Sequence, residues 1–137
     1  MSPSPRDHDS SDHTEDGSAV AELVMVVGLL VLLFAGLVQV GLVMHVRNVL
    51  AAAAAEGARY AAVSGHDEQA GVERIDELAR AALSDGVVAE IPCQVTSDER
   101  DGQLIRVARC EGRMPLLFAP FGSVPIHVQA IALKEPE

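Results

Sequence analysis

Tryptophan is absent from this chain, and one tyrosine and three phenylalanines are the only aromatic residues in 137 positions. Nucleic-acid binding leans on aromatic stacking platforms and on basic side chains that meet phosphates. Here ten lysines and arginines stand against twenty acidic residues, for a net charge of −10, and that balance excludes a nucleic-acid partner. Chemistry-bearing patterns are missing as well: there is no CxxC, no HExxH, no glycine-rich phosphate loop and no nucleophile set beside a base. No enzymatic activity, catalytic residue, cofactor, metal site or small-molecule substrate is therefore expected. A secretory signal peptide is missing too. Such a segment needs a basic start, a short apolar core and a small-residue cleavage site after it. Residues 1–16 are instead rich in Ser, Pro, Asp and His, with Arg6 as the single basic residue, the composition of a disordered acidic leader. His8 and His13 among Asp7, Asp9 and Asp12 form at most a weak metal tract, and without a folded frame to fix ligand geometry a solvated tail is the simpler reading.

What the chain does have is a long apolar run, Leu23 to Met44, entered through Gly17-Ser18-Ala19-Val20-Ala21-Glu22. Its length suits one bilayer span, and the remainder suits one small domain. Glu22 is the residue to explain. An ionised side chain in such a segment costs roughly 2.5 to 3.5 kcal/mol at the bilayer centre and less near an interface. Cutting the chain between Gly17 and Ser18 supplies a reason, because it leaves an amine on Ser18 one helical turn, about 6 Å, before the carboxylate. That amine, or a neighbouring subunit's, and the positive end of the helix dipole all favour the charge on Glu22. The competing reading is an interfacial Glu at the start of an ordinary anchor helix.

Glycine, a short small-residue stretch, glutamate, a leucine-rich helix with a glycine (Leu29 to Gly36), the alanine run Ala51 to Ala55 and then Glu56-Gly57-Ala58-Arg59-Tyr60-Ala61-Ala62 follow one another in this order. In that order the chain resembles the TadE-like family, the pilin-like components of tight-adherence (Tad) secretion systems, with Gly28 where such helices usually carry a proline. The resemblance covers the first half well and the final strand and acidic C-terminus loosely. It implies a prepilin: a prepilin peptidase cuts after Gly17 on the cytoplasmic side, at the processing site Gly17 and Ser18, and the helix stays in the bilayer until assembly. Glu22 then docks one subunit onto the next. The implied function is a structural pilin or pseudopilin subunit for a Tad, type IV-like pilus or secretion apparatus. The implied partners are the lipid bilayer, the prepilin peptidase, other pilin-like subunits and the Tad assembly platform. The implied location is the inner or plasma membrane, single-pass, with a cytoplasmic N-terminus, an extracytoplasmic C-terminal domain and a route into a surface filament. The alternative function is an unprocessed single-pass membrane protein with a small extracytoplasmic partner-binding domain.

Past the bilayer the helix is expected to continue to about Val63, with Val46, Leu50, Ala53, Gly57 and Ala61 on one stripe and Asn48, Glu56 and Arg59 on the other side. From Ser18 this makes close to 70 Å of helix. Small residues on a stripe admit another helix or sheet at close range, and Gln39 can hydrogen-bond between helices. Helix packing thus falls to Gly36, Gln39, Gly57, Arg59 and Tyr60. The implied organisation is a leader over 1–17, a long helix over 18–64 that spans the membrane over about 23–44, and an extracytoplasmic α+β head over 65–137.

Orientation draws on two opposed signals. Arg47 and Arg59 follow the apolar run while Arg6 precedes it, which on the positive-inside rule favours the reverse direction. The cysteines favour the prepilin direction. With Asp101-Gly102 as a two-residue hairpin turn, Arg100 pairs with Gln103 and Cys93 falls opposite Cys110 at a non-hydrogen-bonded position, where side chains approach most closely. A disulfide there stabilises by about 3 kcal/mol on loop-closure grounds and places the head outside the cytoplasm. Two buried free thiols remain the other reading.

In the head, Val72, Ile75, Ala79 and Ala82 predict a second helix over Asp67 to Ser84, weakened by Gly71 and stopped by Gly86. Extended patterns follow at Val87 to Thr96, Leu104 to Cys110 and Val124 to Leu133, with Met114 to Pro125 as a crossing loop. The fold class is α+β: a long N-terminal helix, then a small pilin-like head with a second helix and an antiparallel sheet. Asp98, Glu99 and Asp101 lack the alternating ligands of a calcium loop and read as a solvated turn. His127 reads as a solvent-facing strand residue.

Overall fold

The computed structural model describes residues 1, 12–63, 65–116 and 122–135. The leader's residues 2–11, with His8, and the centre of the proline-rich crossing, residues 117–121, lie outside the described residues.

Three helices precede three strands: α1 (Asp12–Ala62), α2 (Glu68–Ala82), α3 (Asp85–Glu90), β1 (Cys93–Arg100), β2 (Gln103–Pro115) and β3 (Ser123–Leu133). The strands form one antiparallel sheet in the order β1-β2-β3, so the α+β class expected from the sequence is the class observed. The long helix needs little explanation. Its 51 residues contain no proline and are dominated by Ala, Leu and Val, so nothing breaks the backbone ladder. It begins at Asp12 rather than Ser18 and runs unbroken through Gly17.

By contacts the chain divides into Met1–Val38 and Gln39–Glu137. In the first unit, the described side chains from Gly17 onward are exposed, apart from a half-buried Ala35. Leu23, Leu29, Leu32 and Phe34 each show more than 60% of their surface.

The second unit carries the core. Val46, Leu50, Ala53, Ala54, Ala58 and Ala61 of α1 pack with Ile75 and Ala79 of α2 and with Val95, Ala108, Cys110, Met114, Ile126 and Val128 of the sheet. The α1 stripe read from the sequence is the stripe that is buried. Two glycines bring α1 and α2 together: a Cβ on Gly57 would lie 2.8 Å from the Gly71 carbonyl, and one on Gly71 would lie 2.7 Å from Ala61 Cβ and 2.9 Å from the Gly57 carbonyl. Gly71, which weakens α2 on propensity, is the residue that lets the two backbones approach. The helix stops at Ala82, and Leu83 N–H donates to Ala79 O.

The third helix replaces the start of the expected strand Val87 to Thr96. Ser84 and Asp85-Gly86 form its first turn, and Val88 is buried. Its end runs over the sheet at Gly112, where any side chain would meet the Glu90 carbonyl and Ile91 Cα. The register Arg100↔Gln103 through Cys93↔Cys110 is the one the turn requires. Asp101 and Gly102 both take positive φ, 55° and 77°, the conformation of a type I′ turn. β2 runs five residues beyond Cys110 to pair with β3 down to Pro115↔Ser123, which shortens the crossing loop at both ends.

Candidate assembly site

The entrance to the apolar helix comes first. Gly17, Ser18 and Glu22 all lie in α1 and are exposed. Ser18 and Glu22 are four residues apart and therefore share a helix face one turn from each other. Glu22 has no ion pair among the described residues. Beyond it, exposed aliphatic side chains continue from Leu23 through Val38 on all sides of the helix, far more contiguous apolar surface than a protein leaves in water. Among the described residues one helix is long and apolar enough to cross a membrane. On this stretch Gly36 has open space around it and Gln39 is half-buried.

At its other end α1 is fastened by several groups. The last carbonyls of a helix lack intrahelical donors. Here Arg106 Nε donates to Ala61 O at 3.1 Å and Glu135 N–H donates to Ala62 O at 3.0 Å. His66 Nδ1 donates to Tyr60 O at 3.1 Å, and the two rings stack at 4.1 Å. Gly57 is buried at the crossing with α2, while Arg59 is exposed.

Arg106 is the buried charge of the head, 8% exposed. Its cation sits at the C-terminal end of α1, where the helix dipole favours it. Its Nη1 donates to Glu68 Oε1 at 2.9 Å and also contacts Ser97 Oγ, and that hydroxyl donates to Glu68 Oε1 at 2.5 Å. The cluster ties together the end of α1, the start of α2, β1 and β2. Hydrogen bonds from Ser97, first from its hydroxyl and then from its backbone N–H, and the charge of Arg106 hold the Glu68 carboxyl below the usual 4.5. A carboxyl depressed on folding stabilises the fold above its unfolded value, and that contribution is lost as pH falls through the folded value. The head is thus expected to lose stability as pH drops below about 4.5, and Glu68→Gln to flatten that part of the profile. Amide exchange of β1 and β2 measured against pH in both proteins checks this.

The alternation along β2 marks one member of this cluster in the sequence. Arg106 stands in the inward row of β2 with Ala108, Cys110 and Met114, and a charge on a core face calls for a partner.

Cys93 and Cys110 face each other at disulfide distance, with Sγ atoms 2.03 Å apart and Cα atoms 4.1 Å apart. His127 lies on the solvent side, its Nε2 3.0 Å from Glu111 Oε1. Asp98, Glu99 and Asp101 are exposed around the turn, and the described residues contain no group of three or more His, Cys, Asp or Glu placed to hold a metal.

Residues 17–59 match the model of the TadE-like protein family. The matched stretch begins on Gly17, includes Glu22 and the apolar run, and closes on Gly57-Ala58-Arg59. Neither a curated protein nor a solved structure matches the chain. The family match and the apolar helix together fit a Tad pilus-related subunit.

Proposed function

We infer that this chain is a pilin or pseudopilin of a Tad, type IV-like apparatus, processed after Gly17 and held in the inner or plasma membrane by residues 23–44 until it is assembled. The observation that carries the reading is the exposed helical register Gly17, Ser18, Glu22 at the mouth of an apolar helix, on the segment that matches the family. Processing gives Ser18 an amine on the same face as the Glu22 carboxylate. The pair, within or between subunits, offsets the cost of a charge in lipid. The paired cysteines support a head outside the cytoplasm, where a disulfide persists. The partners in this reading are a prepilin peptidase, other pilin-like subunits and the assembly platform, and Gly36, Gln39, Gly57, Arg59 and Tyr60 take part in helix packing.

Intact mass or N-terminal sequencing of protein from native membranes tests the reading. The mature chain is expected to start at Ser18, and Gly17→Arg is expected to abolish that species. A chain starting at Met1 or Ser2 in both proteins instead supports an unprocessed single-pass protein with a small extracytoplasmic partner-binding head. Glu22→Ala is expected to leave cleavage at the wild-type level and to block assembly, because the cut site is intact and the docking charge is gone. Normal amounts of this subunit in the sheared surface fraction of that variant would refute the docking role.

A further inference from the structure

The sheet has an inner face, packed on the helices, and an outer face on which Ile105 and Val107 of β2 are buried while the residues toward the Cys93–Cys110 end are exposed. On the outer face Arg109, Glu111, Arg113, His127 and Gln129 are exposed, and Ile131 and Leu133 continue it at 48% and 63% exposure. Glu111 is held by His127, whereas Arg109 and Arg113 have no ion pair among the described residues. A depression of about 310 Å³ opens here, lined by Pro92, Gln94, Thr96, Arg109 and Glu111. On the other side of the sheet, the stretch from Asp67 to Glu90 carries seven carboxylates and two guanidiniums. Both guanidiniums are already taken, Arg74 by Glu77 and Arg80 by Asp76 and Asp85. The exposed ridge of α2, led by Gln69 and Glu73, is therefore acidic, and the outer sheet face carries two exposed arginines with no ion pair among the described residues.

We propose that the outer sheet face of one copy receives the α2 ridge of a second copy, with Arg109 and Arg113 set against Glu73 and its neighbours. The proposal rests on the subunit reading above and names the surface through which the heads associate. Because the two surfaces lie on opposite sides of the sheet, the contact is heterologous. Each head offers a ridge to one neighbour and a depression to another, so repetition builds a ring or an open series rather than a closed pair. Such a contact lets every copy keep one direction through a membrane. Complementary charge sets partner choice and register, and like charge suppresses wrong contacts.

The test uses the full chain in its native membranes, with a photo-crosslinking side chain in place of Gln94 and two differently tagged copies. The expected result is a copy-to-copy adduct that maps to the 69–80 stretch of the second copy. Arg109→Glu with Arg113→Glu is expected to lower the yield about tenfold, since like charges then face each other. Gln69→Arg with Glu73→Arg in the other copy is expected to restore it. An adduct indifferent to the charge reversal, one mapped elsewhere, or none at all overturns the proposal. The N-terminus of the same samples reports separately on the subunit reading: a Ser18 start with no adduct removes this interface alone, and a Met1 start removes the reading beneath it.

Discussion

Gly57→Ala is expected to destabilise the head by about 1 to 3 kcal/mol, although alanine is the better helix former by roughly 1 kcal/mol. The added methyl must sit 2.8 Å from the Gly71 carbonyl and closer still to the Ile75 side chain. Ile75 can shift a rotamer. The carbonyl belongs to the backbone of α2 and cannot move without separating the two helices, which would expose the stripe of Ala53, Ala54, Ala58 and Ala61. Steric cost therefore outweighs propensity. Gly86→Ala is the internal control: its Cβ would meet nothing within 4 Å, so only the propensity term acts and the change is neutral or stabilising by about 0.5 to 1 kcal/mol. Hydrogen exchange of β2 amides in the full chain reads both variants. Equal protection in Gly57→Ala and wild type would show that the helices separate at little cost.

The same crossing marks the limit of what the sequence discloses. The long helix was legible because its apolar pattern is continuous, and the hairpin was legible because Asp101-Gly102 fixes the turn and hence every pair up to Cys93↔Cys110. These are local signals. Gly71 read only as a weak spot in α2, since its purpose lies in the carbonyl of Gly57 from another helix. Glu68, Ser97 and Arg106 come from three elements far apart in the chain, and no periodicity announces such a meeting. Gly112 is similar, small because the end of α3 crosses it. The third helix was lost for a different reason. Val87-Val88-Ala89 has the composition of a strand, yet the turn at Ser84-Asp85-Gly86 starts a helix before a strand can pair. At the N-terminal site the residues were legible and the helix boundary was not: nothing in Asp12 to Asp16 announces that α1 continues back through Gly17.

Removal of the Cys93–Cys110 bridge is expected to cost about 3 kcal/mol, the loop-closure entropy for cysteines 17 residues apart. For a head with a core this small that is a large share of the total stability. The loss has a definite place. Cys93 opens β1, and β1 holds Val95 against Gly71 and Ser97 against Glu68 and Arg106. Freeing the start of the strand therefore loosens the α2 contact and the cluster on the end of α1 together. The paired variant Cys93→Ser, Cys110→Ser is expected to lose amide protection across β1, α2 and the last turn of α1, while β2 amides bonded to β3 are affected least. Uniform protection would show that the bridge is an ornament on a hairpin already fixed by its turn. Thiol labelling in unbroken cells adds the compartment: wild-type cysteines that resist alkylation until a reductant is added mean that the head folded where disulfides persist. Cysteines alkylated at once mean a reducing compartment, and they would leave the hairpin to its turn and its core.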